Sequence, residues 1–305
     1  MRLLTRSDFD GLVCAVLLKE VEQIDTIEFC HPKDMQDGKV KVTNQDIITN
    51  LPYHPDAAMW FDHHASEASR NEEITFRGRY EVAPSAARVI YDYYNIQGKA
   101  EKLQRFKSLI TEVDKSDSAH LSPEDVTNPK GWVLLSYLMD PRTGLGKQHD
   151  YQISNRDLML KLVEWMSTKA PEQVLEMPDI KERVVRYMED EQRFKAALEK
   201  HSRQDGNVVV TDFRNVDTPV GNRFLIYTLF PTANISVRVM DGKKGEFVAV
   251  SVGHSIFNRT SRTDVGALMA RYGGGGHRGA GTCQLPLADA DEKIRDIIAS
   301  IKKDS

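Results

Sequence analysis

Four stretches of the 305-residue chain carry ionisable or glycine-rich residues at spacings that chemistry can use. The first is Asp8-Phe9-Asp10-Gly11. Carboxylates two residues apart on an extended segment point to the same side, and Gly11 permits a tight turn into a helix whose amino end favours anions. The second is Asp62-His63-His64, and the third is Asp114 with Asp117 one helical turn later. Carboxylates and imidazoles brought together suit a hard or borderline dication such as Mn2+ or Mg2+. The fourth runs Gly273-Gly274-Gly275-Gly276-His277 and continues Arg278-Gly279-Ala280-Gly281. Each glycine costs about 0.5–1 kcal/mol of backbone entropy relative to alanine. Such a run points to close backbone approach, and its amides with His277 would cradle a phosphate or another oxyanion. Each stretch alone also has an ordinary structural use. Asp-x-Asp-Gly makes turns, His-His fills solvated loops, Asp114 could end a helix, and a glycine run makes a hairpin. Their combination in one chain is what points to a site.

The elements that must position these residues follow from periodicity. Met1–Thr5, Thr26–Cys30, Asp46–Thr49 and Ala58–Phe61 read as short strands. Helices are expected at Leu12–Val21, Ser85–Tyr94 and Glu101–Val113, an alternation that predicts a parallel α/β sheet. In such sheets the site lies beyond the carboxyl ends of the strands, where Asp8, Asp10 and Asp62-His63-His64 fall. Beyond Asp114 the chain turns mostly helical, with Gly131–Leu138, Asp157–Met166 and a charged arm from about Asp179 to His201. Gln204-Asp205-Gly206-Asn207 is the linker candidate, dividing a catalytic domain over 1–203 from a second domain over 207–305. The second domain is expected to be a smaller mixed α/β unit: strand Val208–Val210, a helix, strands Ile235–Met240 and Phe247–Val252 around a hairpin at Asp241-Gly242, helix Val265–Tyr272, a strand, and helix Ala290–Lys302.

Composition narrows the function classes. The chain is 40% hydrophobic and 28% charged, with a net charge of −4. No global basic field recruits nucleic acid, so a long duplex is not expected and a polyanion must be held locally. Three cysteines, Cys14, Cys30 and Cys283, form no Cys-x-x-Cys pair; a sparse, odd count fits a reducing compartment. No apolar run approaches a membrane span, and Asp8 and Asp10 would interrupt a signal peptide at the apolar start. The expectation is a cytoplasmic protein that does not bind membranes, with a homodimer left open.

The four motifs, in this order, resemble the DHH phosphoesterases that carry the DHH-associated C-terminal domain, and the resemblance covers nearly the whole chain. It implies a metal-dependent hydrolase of phosphate esters, with the active site in the cleft between the domains. Asp8 would bind a first metal; Asp10, His63 and Asp114 a second. Asp62 would orient the histidines, and His64 would face the scissile phosphate. Gly274, Gly275, Gly276, His277 and Arg278 would hold a terminal phosphate. Three positions depart from the family pattern: Arg6 replaces a histidine ligand, Asn50 replaces a metal-bridging aspartate, and His254-Ser255 replaces an arginine–serine pair. Asp46 is a carboxylate near Asn50 but at the opposite end of its strand. These departures predict one ion per chain rather than two, with the Arg6 guanidinium in the vacated position, paired with Asp8 or with a substrate phosphate. His254 is expected on the substrate. Substrates of this family include nucleotides, short oligonucleotides and polyphosphate, and a catalytically silent nucleotide-binding regulator is the reading from a different class. Base stacking would separate nucleotide substrates from polyphosphate; the candidates Tyr53, Trp60, Phe257 and Tyr272 are each more often core residues.

Overall fold

A computed structural model describes residues 1–64, 74–143, 145–147 and 150–304. Packing divides the chain into two units, Met1–Leu121 with Pro129–Arg186, and Ser122–Asn128 with Tyr187–Ser305.

The first unit is built on strands β1 (Arg2–Arg6), β2 (Thr26–Cys30), β3 (Asp46–Thr49), β4 (Met59–Asp62) and β5 (Gly78–Tyr80). All pairings are parallel, in the order β2-β1-β3-β4-β5. Strand β5 has no counterpart in the sequence reading, since three residues leave no period to detect. Leu3, Leu4, Ile47, Ile48, Trp60 and Phe61 are fully buried, as expected of a parallel sheet covered on both faces. Trp60 stacks on Tyr80 and meets Tyr53 and Phe76 edge-on, so the first two stacking candidates belong to the core.

Because the strands run the same way, the residues that follow β1, β3 and β4 emerge at one edge of the sheet. The order in which strands are added reverses between β1 and β3, which puts Asp8 and Asn50 at the switch point. Helix α1 (Phe9–Val21) starts there, capped by Asp8, whose carboxylate accepts from Gly11 N at 2.9 Å. A Cβ at Gly11 would lie 2.0 Å from the Arg6 carbonyl oxygen, so only glycine allows this turn. Helices α2 (Ala86–Tyr94) and α3 (Lys107–Asp117) pack against α1. The single helix expected over Glu101–Val113 is broken: a short helix over Ala100–Leu103 and a tighter turn over Gln104–Phe106 precede α3. The charged arm is one helix over Pro178–His201, and the division between units falls inside it.

The second unit holds a six-stranded mixed sheet, β6 (Ser202–Asp205), β7 (Val208–Asp212), β8 (Ile235–Asp241), β9 (Val248–His254), β10 (Gly275–His277) and β11 (Ala280–Leu285), in the order β10-β11-β9-β8-β7-β6. The expected linker at 204–207 is therefore a hairpin between β6 and β7, turned at Gly206 with φ +64°. Its polar composition resembles a linker because exposed turns and linkers draw on the same residues. One face of the sheet carries Val237, Val239, Val250, Val252, Cys283 and Leu285, packed with helices Val265–Ala270 and Ala290–Lys303. No described helix is long and apolar enough to cross a membrane.

The glycine run is β10 itself, paired with β11 so that Gly276 lies opposite Gly281. A Cβ on Gly274 would lie 2.0 Å from the Thr282 carbonyl oxygen and 2.6 Å from Cys283 Cβ, whereas one on Gly275 would meet nothing within 4 Å. Gly274→Ala should destabilise the protein by about 1–3 kcal/mol in chemical denaturation, as overpacking does. Gly275→Ala, its internal control, should stay within about 0.5 kcal/mol of the parent.

Candidate metal centre

Asp10 lies in the first turn of α1 and is 1% exposed. Its oxygens accept the Ala86 and Ala87 amides, both at 2.9 Å, so the carboxylate caps the amino end of α2. His63 follows β4. Its Nδ1–H donates to the Ala83 carbonyl at 3.0 Å, which fixes the ring and leaves Nε2 as the lone-pair atom. That Nε2 is buried and has no hydrogen-bond partner. It lies 3.7 Å from Asp10 Oδ2 and 3.4 Å from Asp117 Oδ2. One oxygen from each of Asp10 and Asp117 and one nitrogen of His63 thus lie within 4.8 Å of one another.

The third member differs from the expected Asp114. Asp114 accepts Ser85 Oγ at 2.7 Å and takes Arg88 Nε and a terminal guanidinium nitrogen at 2.9 and 2.6 Å. It braces α3 against α2. The Arg88 guanidinium meets it through two nitrogens, a geometry that saturates a carboxylate. Asp117, three residues on, turns instead toward His63. The two positions are one helical turn apart, and the sequence lacks the information that Arg88, on another helix, claims the first of them.

Burial, the charge of Asp117 and that of Asp8 push the Asp10 pKa up to about 7, against the opposing pull of His63 and the Ala87 amide. The Asp117 pKa is also raised, by burial and by Asp8, with His63 opposing. These carboxylates are electrostatically frustrated as a set of protein groups alone, as metal ligands often are.

Asp8 has a different environment. Its Oδ2 pairs with Arg6 Nε at 2.9 Å, and its Oδ1 accepts Asn50 Nδ2 at 3.1 Å as well as Gly11 N. Asn50 is 2% exposed and holds the left-handed backbone region at φ 54°, which asparagine tolerates better than most residues. Asp46 sits at the other end of β3, held by Arg2 and Thr43. Asp62 is buried; it accepts His64 Nδ1–H at 2.9 Å. Burial would lower the His64 pKa, but the Asp62 hydrogen bond and charge outweigh it and leave it raised. Arg142 is a further cation that the sequence does not single out. Its side chain is exposed and pairs with Asp140 at 2.7 Å, and the charges of Asp140, Asp8 and Asp117 raise its pKa. Asp140-Pro141-Arg142 forms no motif that could signal this.

Over their full lengths, the chain is similar to PggH, a pGpG-specific phosphodiesterase from Vibrio cholerae. They share 44% identity across 100% of this chain and 99% of that one, with a TM-score of 0.86. The chain belongs to the DHH phosphoesterase family. The shared fold extends to two distant structures. An exopolyphosphatase-related protein from Bacteroides fragilis is 10% identical over 99% of this chain and 92% of its own, with a TM-score of 0.55. RecJ from Thermus thermophilus, in complex with Mn2+, is 12% identical over 99% of this chain and 52% of its own, with a TM-score of 0.58. No protein-family model and no curated protein matches the chain.

In the second unit of this DHH phosphoesterase, His277 is exposed on β10, and Arg278-Gly279 forms the tip of the β10–β11 hairpin. The tip is held from both sides: His254 N donates to the Gly279 carbonyl at 2.8 Å and Val265 N to the Arg278 carbonyl at 3.0 Å. The glycines do approach backbone closely, but the backbone is their own sheet. A Cβ on Gly276 would lie 2.2 Å from the Ala280 carbonyl oxygen. His254 Nε2–H donates to the Thr263 carbonyl at 2.9 Å, so this ring is tied into the fold through one nitrogen.

Two predictions separate these residues. Asp117→Ala should reduce Mn2+ affinity by about 10- to 100-fold in equilibrium titration. Asp114→Ala should leave that affinity near the parent value but lower the melting temperature, because Arg88 loses its partner. The second concerns pH. In ion-free protein Asp10 holds its proton up to about pH 7, against an ordinary value of 3.8. Between those values the folded state binds more protons than the unfolded one, so stability falls as pH rises through this window. Chelated protein should melt lower at about pH 8 than at about pH 5, and Asp10→Asn should flatten that dependence.

Proposed function

We propose that the chain hydrolyses the phosphodiester of a linear guanine dinucleotide of the pGpG kind, assisted by one divalent cation, Mn2+ or Mg2+, at Asp10, His63 and Asp117. The observation that carries the substrate reading is the 44% identity to a pGpG-specific phosphodiesterase from end to end of both chains. The residues fit such an ion. A buried imidazole nitrogen without a partner stands between two carboxylates whose pKa values are raised by burial and by neighbouring carboxylates. When bound, the ion supplies Lewis acidity and a water of lowered pKa.

The chain's own residues have distinct parts in this reading. The Ala86 and Ala87 amides and the Ala83 carbonyl orient Asp10 and His63. Asp62 holds Nδ1–H of His64, so a protonated His64 offers Nε2–H to a phosphate oxygen or to the leaving oxygen. Arg6, fixed by Asp8, offsets charge on the phosphate with a permanent cation.

Asp8 supports the single-ion reading. Its carboxylate is already engaged by a guanidinium, an amide side chain and a backbone N–H, and Asn50 brings no negative charge to bridge two cations. Purified protein loaded with Mn2+ should hold one tightly bound ion per chain and cleave pGpG to GMP. The double substitution Arg6→His with Asn50→Asp should add a second ion. Two well-occupied ions in the parent, counted by elemental analysis and anomalous diffraction, would overturn the single-ion reading. Failure to cleave pGpG, with cleavage of other dinucleotides, would overturn the substrate reading alone.

A further inference from the structure

The second face of the β6–β11 sheet mixes polar residues with Val209, Met240 and Ala249, and its residues align across the strands. Register places Ser202, Thr211, Arg238, Ser251, Thr282 and Gly275 in one row. Directly paired residues share a face. The adjacent row on the same face includes Ser236, Gly253, Ala280 and His277. Arg238 thus shares the face of His277, about 16 Å away at the usual strand spacing and rise.

Arg238 is a cation without an anion. Its guanidinium lies 5.7 Å from the Phe194 ring and 5.9 Å from the Phe213 ring. Among the described residues it makes no ion pair and no hydrogen bond, and its row offers hydroxyls but no carboxylate. Burial lowers its pKa, with only the weaker influence of Tyr227 opposing. A half-buried cation with no anion beside it is left to water and to two aromatic faces, which compensate it only in part.

A second donor is stranded nearby. Asn222 is 2% exposed, and its Oδ1 accepts the Phe224 amide at 3.0 Å, which leaves Nδ2 buried and without a partner. Its neighbour Gly221 packs so closely on the Phe194 ring that a Cβ would lie 2.1 Å from it. Arg238 and the Gly221-Asn222 segment therefore meet the same aromatic ring, Arg238 with its guanidinium and the segment through Gly221.

We propose that Arg238 forms an oxyanion site on the second unit that takes a phosphate group of the substrate, distinct from the glycine run and His277. The identity of that phosphate as a nucleotide's rests on the proposed function; the site itself does not. A guanidinium matches two phosphate oxygens at once, and the Ser251 hydroxyl, directly across from Arg238, adds a neutral donor.

The test uses the full chain stripped of metal by a chelator, so that no bound ion recruits phosphate. Melting temperature is measured with inorganic phosphate, GMP and guanosine, against chloride at matched ionic strength. Phosphate and GMP should stabilise the parent, and Arg238→Met should lose that stabilisation while melting at or above the parent temperature without ligand. Its KM for pGpG should rise about 10- to 100-fold, the range of a charge-assisted hydrogen bond, with kcat within about twofold. Arg238→Lys, which keeps charge but not the planar fork, should fall between the two and serves if the methionine variant does not fold. An undiminished phosphate response in Arg238→Met would overturn the proposal. So would stabilisation by guanosine alone that depends on Arg238, which would make the ligand a base edge. Absence of pGpG turnover in every variant bears on the proposed function and leaves the thermal result to decide this site.

Discussion

A single buried carboxylate organises the first unit. Asp10 is almost wholly withdrawn from water, and taking an ionised carboxylate out of water is costly unless hydrogen bonds or charge replace its hydration. Two amides at the amino end of α2 supply part of that replacement, which ties α1 to α2 through the charge itself. The remainder is met only in part by protein groups: Asp117 and Asp8 add repulsion, and His63 alone among the neighbouring side chains opposes it. The supporting shell is satisfied and the inner cluster is not. Such an imbalance is what a fold arranged to receive a positive charge looks like.

Asp8 and Asp10 are two residues apart on the same turn, yet the protein treats them oppositely. Asp8 is neutralised within the chain by Arg6 and Asn50, each from a different strand end. Thr5 and Thr49 reinforce this join: their hydroxyls meet at 2.8 Å, and Thr5 reaches the Gly11 carbonyl at 3.2 Å. The switch point of the sheet is thus closed by protein groups on the Asp8 side and left electron-rich on the Asp10 side. Sequence spacing alone makes the pair look equivalent; the strand that neighbours each one makes them different.

What the sequence made legible follows the same logic. Strands β1 to β4 could be read because their apolar runs are bounded by turn residues, and their strand-end motifs follow from parallel connectivity. The Arg6–Asp8 pairing could be anticipated because both residues flank one short turn. Choosing between Asp114 and Asp117 required knowing that Arg88 lies across from α3, a contact 26 residues away in sequence. The β6–β7 hairpin escaped for a related reason. Ser202–Asp205 is polar at every position, and its strand character comes wholly from pairing with the buried β7. Local pattern identifies elements that bury themselves, and it fails for those that borrow their structure from a neighbour.

The glycine run illustrates how one feature can serve fold and surface together. Read as a sequence, four glycines suggest slack; in the structure, several are forced by contacts too close for any Cβ. Strand β10 lies at the edge of its sheet, paired on one side with β11. An edge strand leaves alternate N–H groups unpaired, and glycine leaves them uncovered by side chains. Helix Val265–Ala270 packs against this strand, so closely that a Cβ on Gly266 would lie 2.8 Å from the Gly276 carbonyl oxygen, while His277 stays exposed. Rigidity follows from the same source, because the hairpin tip is tied at Gly279 and Arg278 by hydrogen bonds from β9 and from the start of helix Val265–Ala270.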